Sequence, residues 1–120
     1  MLILLCMTNT HFISKVLLIS SVFILSSCAK GASIYNEAVD DLKARLVNPD
    51  TMKVISADGY ELQDEFYFKI NIEALNSDNL LKRGVYYYHT ENRIPIFDGT
   101  SDKLYFIASL NSESHHYTYK

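Results

Sequence analysis

Residues 66–74 read Phe-Tyr-Phe-Lys-Ile-Asn-Ile-Glu-Ala, and this stretch decides the fold. Its apolar side chains alternate strictly with polar or amphipathic ones, and a period of two predicts a β-strand. One face of that strand carries Phe66, Phe68, Ile70, Ile72 and Ala74. Such alternation is typical of an antiparallel sheet with one face on a core and the other largely in water.

Further strands are expected on both sides of this stretch. Asp58-Gly59 and Glu91-Asn92 are hairpin turn signals between segments rich in β-branched and aromatic residues. The segments that we expect to be extended are 52–57, 60–63, 81–90 and 93–97. Pro95 has no N–H to donate, so the last of these strands should lie at a sheet edge. We therefore expect an antiparallel sheet of three or four strands.

An amphipathic helix over residues 34–47 is predicted to cover one face of this sheet. Its apolar stripe consists of Tyr35, Ala38, Val39, Leu42 and Leu46. Ser33 suits the N-cap position, where its hydroxyl can accept a hydrogen bond from a free backbone N–H. Asn48-Pro49 should end the helix, because a residue before proline is disfavoured in the α region.

The C-terminal part of the chain leaves two alternatives. Residues 102–110 fit either a short helix, capped by Thr100 or Ser101, or a further strand, and we favour the helix. Residues 112–120 are polar and are expected to form a flexible tail. The predicted fold is thus α+β over residues 34–111, with an N-terminal amphipathic helix packed on a three- to four-stranded antiparallel sheet.

Charge and composition exclude one class of partner and point to an aromatic surface. The 11 Lys and Arg are mixed with 14 Asp and Glu and form no basic stripe, so a nucleic-acid partner is not expected. The chain has 9 Tyr and no Trp. Tyr67, Tyr86 and Tyr88 could form an exposed aromatic face on the sheet, of the kind enriched at interfaces. The alternative is that they pack beneath the C-terminal segment.

Two pairs of residues resemble parts of a catalytic site and of a metal site, but each lacks the further groups that such a site requires. His89 and Glu91 could act in acid–base catalysis, but no nucleophile accompanies them, and we interpret them as an ion pair near a turn. The adjacent His115 and His116 do not have the spacing that directs two imidazoles at one metal ion. We therefore predict no catalytic residues, no metal site and no bound cofactor.

An apolar run at residues 16–25 leads into Leu25-Ser26-Ser27-Cys28. The run is shorter than the roughly 20 apolar residues of a spanning helix, but it suits a secretory signal. Small residues followed by a cysteine resemble the lipobox of bacterial lipoproteins. The resemblance implies cleavage between Ser27 and Cys28, which removes residues 1–27. It also implies a diacylglyceryl thioether and an N-acyl chain on Cys28, with residues 28–33 as a short tether.

Three further expectations follow from this leader. Met7 is an alternative translation start, because residues 1–6 are apolar where a signal peptide should be polar and basic. Ala29 follows the cysteine where an Asp would favour the inner membrane, so the resemblance implies the outer membrane of a bacterium with two membranes. Cys28 would be the only cysteine left after cleavage, so the domain should have no disulfide.

The order of elements over residues 39–88 gives a second, looser resemblance. A helix ending in Leu-x-Asn-Pro-Asp-Thr, then a strand, an Asn-containing loop and a Gly before an aromatic strand resemble small uncharacterised bacterial and phage-borne domains. We expect a membrane-anchored, periplasm-facing lipoprotein whose non-enzymatic domain binds an unidentified cell-envelope component. The alternatives are an inhibitor or phage-exclusion lipoprotein of mobile-element origin, and a cell-wall hydrolase that uses His89 and Glu91.

Overall fold

The computed structural model describes residues 31–119, and the chain divides into two compact units, Met1–Tyr35 and Asn36–Lys120. The described elements, in chain order, are α1 (residues 31–44), a 3-10 turn (Pro49–Thr51), β1 (Lys53–Leu62), β2 (Glu65–Leu75), β3 (Leu81–Glu91), β4 (Ile94–Gly99), α2 (Lys103–Leu110) and β5 (His115–Tyr119). Neither described helix has the length and apolar character needed to cross a bilayer.

The sheet has five antiparallel strands in the order β4-β3-β2-β1-β5, so the predicted three- or four-stranded sheet is wrong, although the class is α+β. The strand predicted over 66–74 is confirmed as the central strand β2, and every second side chain from Phe66 to Ala74 is buried. β4 is an edge strand, as Pro95 predicts. The short helix favoured for the C-terminal part is confirmed as α2.

Asp58-Gly59 does not form the predicted turn, because β1 continues through it to Leu62. A Cβ atom at Gly59 would lie 2.8 Å from the Tyr67 carbonyl oxygen and 3.0 Å from the Phe68 ring. Glycine is therefore required there for close packing between strands. The hairpin turns instead at Gln63 and Asp64, whose φ angles of 53° and 66° have the positive sign of a type I′ turn.

The flexible tail predicted for residues 112–120 is wrong for residues 115–119, which form β5 along the edge of β1. Tyr117, Thr118 and Tyr119 have side chains that favour a strand. The Tyr119 ring packs edge-on against Phe68 at 5.5 Å, so part of this strand completes the core. The extra strand is the main reason that the sheet is larger than predicted.

The helix α1 is not the N-terminal amphipathic helix that the pattern predicts. It covers residues 31–44 instead of 34–47, and the boundary between the two units falls within it. The N–H groups of Arg45 and Leu46 bond to carbonyls three residues earlier, which tightens the chain and ends the helix. Leu46, expected in the apolar stripe, therefore lies beyond the helix and is only half-buried.

From Asn36 onward, α1 lies on one face of the sheet and α2 on the other. Asp41 of α1 accepts a hydrogen bond from Tyr88, which belongs to the core face of β3. Tyr105 of α2 bonds to Asp58 and packs on Tyr87, which points to the opposite face. These two faces are called the α1 face and the α2 face below.

Candidate functional site

The predicted aromatic face of Tyr67, Tyr86 and Tyr88 does not exist as one surface. Tyr67 pairs directly with His89, whereas Tyr88 pairs with the buried Phe68. Directly opposed residues of an antiparallel pair project to the same side, and consecutive residues project to opposite sides. Tyr67 therefore lies on the α2 face, while Tyr86 and Tyr88 lie on the α1 face, where Tyr88 is only 1% exposed.

Tyr88 fastens α1 to the sheet. Its hydroxyl donates a hydrogen bond of 2.6 Å to Asp41 Oδ2, which also accepts one of 2.8 Å from Arg45. These two bonds hold the pKa of Asp41 below its usual range. Burial, together with the Asp41 carboxylate, raises the pKa of Tyr88. The Arg45 guanidinium also lies 4.2 Å above the Phe97 ring. This arrangement is a structural attachment and leaves Tyr88 no surface for a partner.

A second aromatic cluster fastens α2 to the opposite face. The Tyr105 hydroxyl donates a 2.8 Å hydrogen bond to Asp58 Oδ1, and its ring contacts those of Tyr60 and Tyr87 at 5.4 and 5.5 Å. The His116 ring contacts the Tyr60 ring at 4.8 Å, with the two ring planes tilted by 44°. Burial, reinforced by Asp58, raises the pKa of Tyr105, so its hydroxyl stays a proton donor. The sequence gives no signal for this cluster, because His116 lies in the unpredicted β5.

The predicted pair of His89 and Glu91 forms, and it includes a third residue, Asp98. His89 Nδ1 lies 2.8 Å from Asp98 Oδ1, and His89 Nε2 lies 2.8 Å from Glu91 Oε2. Burial alone would lower the pKa of His89, but the two carboxylates outweigh it and raise that pKa. The imidazole of His89 thereby links β3 to the edge strand β4. In this geometry neither ring nitrogen is free to accept a proton from a substrate.

His115 and His116 point to opposite sides of β5, so they do not converge on one ion. His116 faces Asp58, with Nε2 3.6 Å from Oδ2. His115 borders an open acidic groove of about 410 Å³, lined by Glu61, Gln63, Asp64, Glu113, His115 and Tyr117. Within residues 31–119, no group of three or more His, Cys, Asp or Glu has an arrangement that could hold a metal ion.

The outer side of α2 is the candidate interaction surface. Tyr105 and Ala108 face the sheet, and Ala108 is 1% exposed. The large apolar side chains that α2 exposes are Leu104, Phe106, Ile107 and Leu110. Phe106 is 56% exposed, Ile107 55% and Leu110 69%. We call these four residues the α2 patch. Apart from Lys103 and Ser109, the segment Lys-Leu-Tyr-Phe-Ile-Ala-Ser-Leu is apolar, so apolar side chains occur on every side of α2, and this pattern is visible in the sequence.

The residues of the predicted lipid attachment and cleavage site, Ser27 and Cys28, lie outside the described residues, as do Ala29 and the leader. Comparison of the chain with protein-family models, with curated proteins and with solved structures finds no match.

Proposed function

We propose that the chain is a lipid-anchored protein of the bacterial envelope, and that its domain works by contact with an envelope component through the α2 patch. One observation carries the contact part of this proposal: α2 is already attached to the sheet by its inner side, yet four of its large apolar side chains are exposed. The anchoring part rests on the lipobox-like sequence that ends at Cys28.

The exposed apolar side chains of α2 favour a binding surface that a partner covers. Isolated apolar residues at a surface are ordinary, whereas the largest apolar patch of a domain is often functional. A helix that is apolar on all sides is normally buried on all sides. Ile94 and Ile96, which lie on the α2 face of β4, are also exposed and extend the apolar character of this side.

The polar groups of the α2 face also favour a binding function over catalysis, because they are engaged in hydrogen bonds within the domain. The imidazole of His89 bridges two carboxylates, and the Tyr105 hydroxyl is bonded to Asp58. These bonds hold the strands and α2 in place. A rigid platform that presents an apolar helix is an arrangement suited to binding.

The anchoring part is tested by replacing Cys28 with serine, with Cys6→Ser as the matched control. Modification of the cysteine sulfur precedes cleavage in this lipoprotein class, so Cys28→Ser should accumulate as unprocessed precursor. Cys6→Ser should be processed and lipid-modified normally. Membrane attachment and normal processing of Cys28→Ser would refute the anchor.

The contact part is tested by photo-crosslinking in cells. Benzoylphenylalanine replaces Phe106 in one strain and Val47 in the other; Val47 is 71% exposed and follows α1. The proposal predicts crosslinks to an envelope component from position 106 and few from position 47. Capture from position 47 alone, or equal capture from both positions, would show that α2 is not the contact surface.

A further inference from the structure

We infer that the component covering the α2 patch is the lipid bilayer that holds the anchor, so that α2 lies in the headgroup region with its outer side toward the acyl chains. This inference rests on the proposed function, because it identifies the partner of the same patch.

The size of the α2 patch favours a bilayer over a second copy of the chain. Taking about 200 Å² for a complete large side chain, the four exposed fractions amount to roughly 400 Å². A stable protein–protein interface buries about 800 Å² on each partner. An apolar helix side in the membrane interface has no such minimum, because insertion strength grows with each side chain that is buried.

The chemistry of the patch also fits the membrane interface. Its members are leucine, isoleucine and phenylalanine, the residue types that interfacial helices insert at the boundary between headgroups and acyl chains. Lys103 is the exposed first residue of α2, and its long side chain can keep the ammonium group at headgroup level.

The covalent connection keeps the domain close to the bilayer. Only residues 29–35 separate Cys28 from Asn36, and at 3.3–3.6 Å per residue this connection spans less than about 30 Å. A second contact made by a tethered domain is intramolecular, so its effective concentration is high even when the contact itself is weak. An anchored domain therefore meets its own bilayer before any diffusing partner.

The direction of α1 shows at which end of the sheet Asn36 lies. Asp41 bonds to Tyr88, whereas Asn48 donates to the carbonyls of Leu75 and Asn76 at the other end of β2. The helix thus runs away from the hairpin turns at 63–64 and 92–93, and Asn36 lies toward that end.

The helix α2 leads to the same end of the sheet. The strand that follows it, β5, begins at His115, which pairs with Glu61 just before the turn at Gln63. The C-terminal end of α2, with the most exposed patch residue, Leu110, is therefore directed toward the same end of the sheet as Asn36.

The inference is tested with the full mature lipidated protein in phosphatidylcholine and phosphatidylglycerol proteoliposomes. Ile107→Cys carries an environment-sensitive fluorophore, and Val47→Cys is the matched control. Cys28 is blocked by its thioether, so the introduced cysteine is the only free thiol. Lipids brominated on the acyl chains should quench the label at 107 about threefold more than the label at 47. Aqueous iodide should quench the label at 47 more strongly.

Each other outcome overturns the inference and separates it from the proposed function. A label at 107 that is shielded from iodide but not quenched by brominated lipid means that a second copy of the chain covers α2, which overturns the inference and leaves the lipid anchor intact. Strong iodide quenching at both positions means that nothing covers α2. Failure of the protein to remain with the vesicles would refute the lipid anchor itself. Leu110→Cys repeats the measurement, and matching circular dichroism spectra exclude unfolding as the cause.

Discussion

Replacing Tyr88 with phenylalanine tests the attachment of α1 to the sheet, because it removes only the hydroxyl that bonds to Asp41 at 2.6 Å. A hydrogen bond to a charged group contributes about 1.5–3 kcal/mol. The Asp41 side chain is 43% exposed, so water replaces part of the lost bond. We therefore expect the free energy of unfolding to fall by about 1–2 kcal/mol, measured by equilibrium urea unfolding.

Tyr86→Phe is the matched control, since it makes the same change two residues earlier on the same face without removing a bond to a carboxylate. It should alter the free energy of unfolding by less than about 0.5 kcal/mol. The pKa of Asp41 is lowered in the fold, so this stabilisation is present above its unfolded value of 3.8 and is lost as the pH falls through the folded pKa. Equal losses for the two variants, or a Tyr88→Phe effect that grows in acid, would refute the reasoning.

Three further predictions concern the strands and their turns. The pKa of His89 is raised in the fold, so its stabilisation is complete below the unfolded value of 6.5 and is lost as the pH rises through the folded pKa. His89→Gln should therefore lower the unfolding midpoint more at about pH 6 than at about pH 9, and the reverse order would contradict the ion bridge. The double variant Gln63→Asn and Asp64→Gly should raise the free energy of unfolding by about 0.5–1 kcal/mol, because asparagine and glycine tolerate the positive φ of these positions. A loss of stability in urea unfolding would exclude a type I′ turn there. Gly59→Ala should lower it by about 1–3 kcal/mol through the clash with the Tyr67 carbonyl, whereas an unchanged midpoint would place Gly59 outside the strand.

The central strand was predictable because its signal is local. From Phe66 to Ala74 the alternation of apolar and polar side chains matches the alternation of buried and half-buried positions. Pro95 located an edge strand for a similarly local reason. The turn predicted at Asp58-Gly59 was wrong because a glycine can indicate either a turn or a position where a neighbouring strand or side chain approaches the backbone closely. Only the positions of Phe68 and Tyr119 beside Gly59 show that close approach is the reason here.

The aromatic face was wrong because it depends on strand register, which no local pattern reveals. A difference of one residue in register moves every side chain of a strand to the other face. Tyr67 pairs with His89 rather than with Tyr88, and this single fact separates it from the tyrosines of the α1 face. The sequence shows that α2 has apolar residues on every side, but which of them are exposed is known only once Tyr105 and Ala108 are seen to face the sheet.

The accessibility of α2 in the native envelope tests the account most directly. In isolated envelopes, where we propose that the protein is anchored, a hydrophilic maleimide is reacted with the Ile107→Cys and Val47→Cys variants, and the reaction is repeated after solubilisation and denaturation in detergent. The account predicts that position 107 reacts several-fold more slowly than position 47 in the envelope, because the α2 patch is covered there. After solubilisation and denaturation the two rates should become equal. Equal rates in the intact envelope would contradict the claim that α2 is the contact surface of this protein.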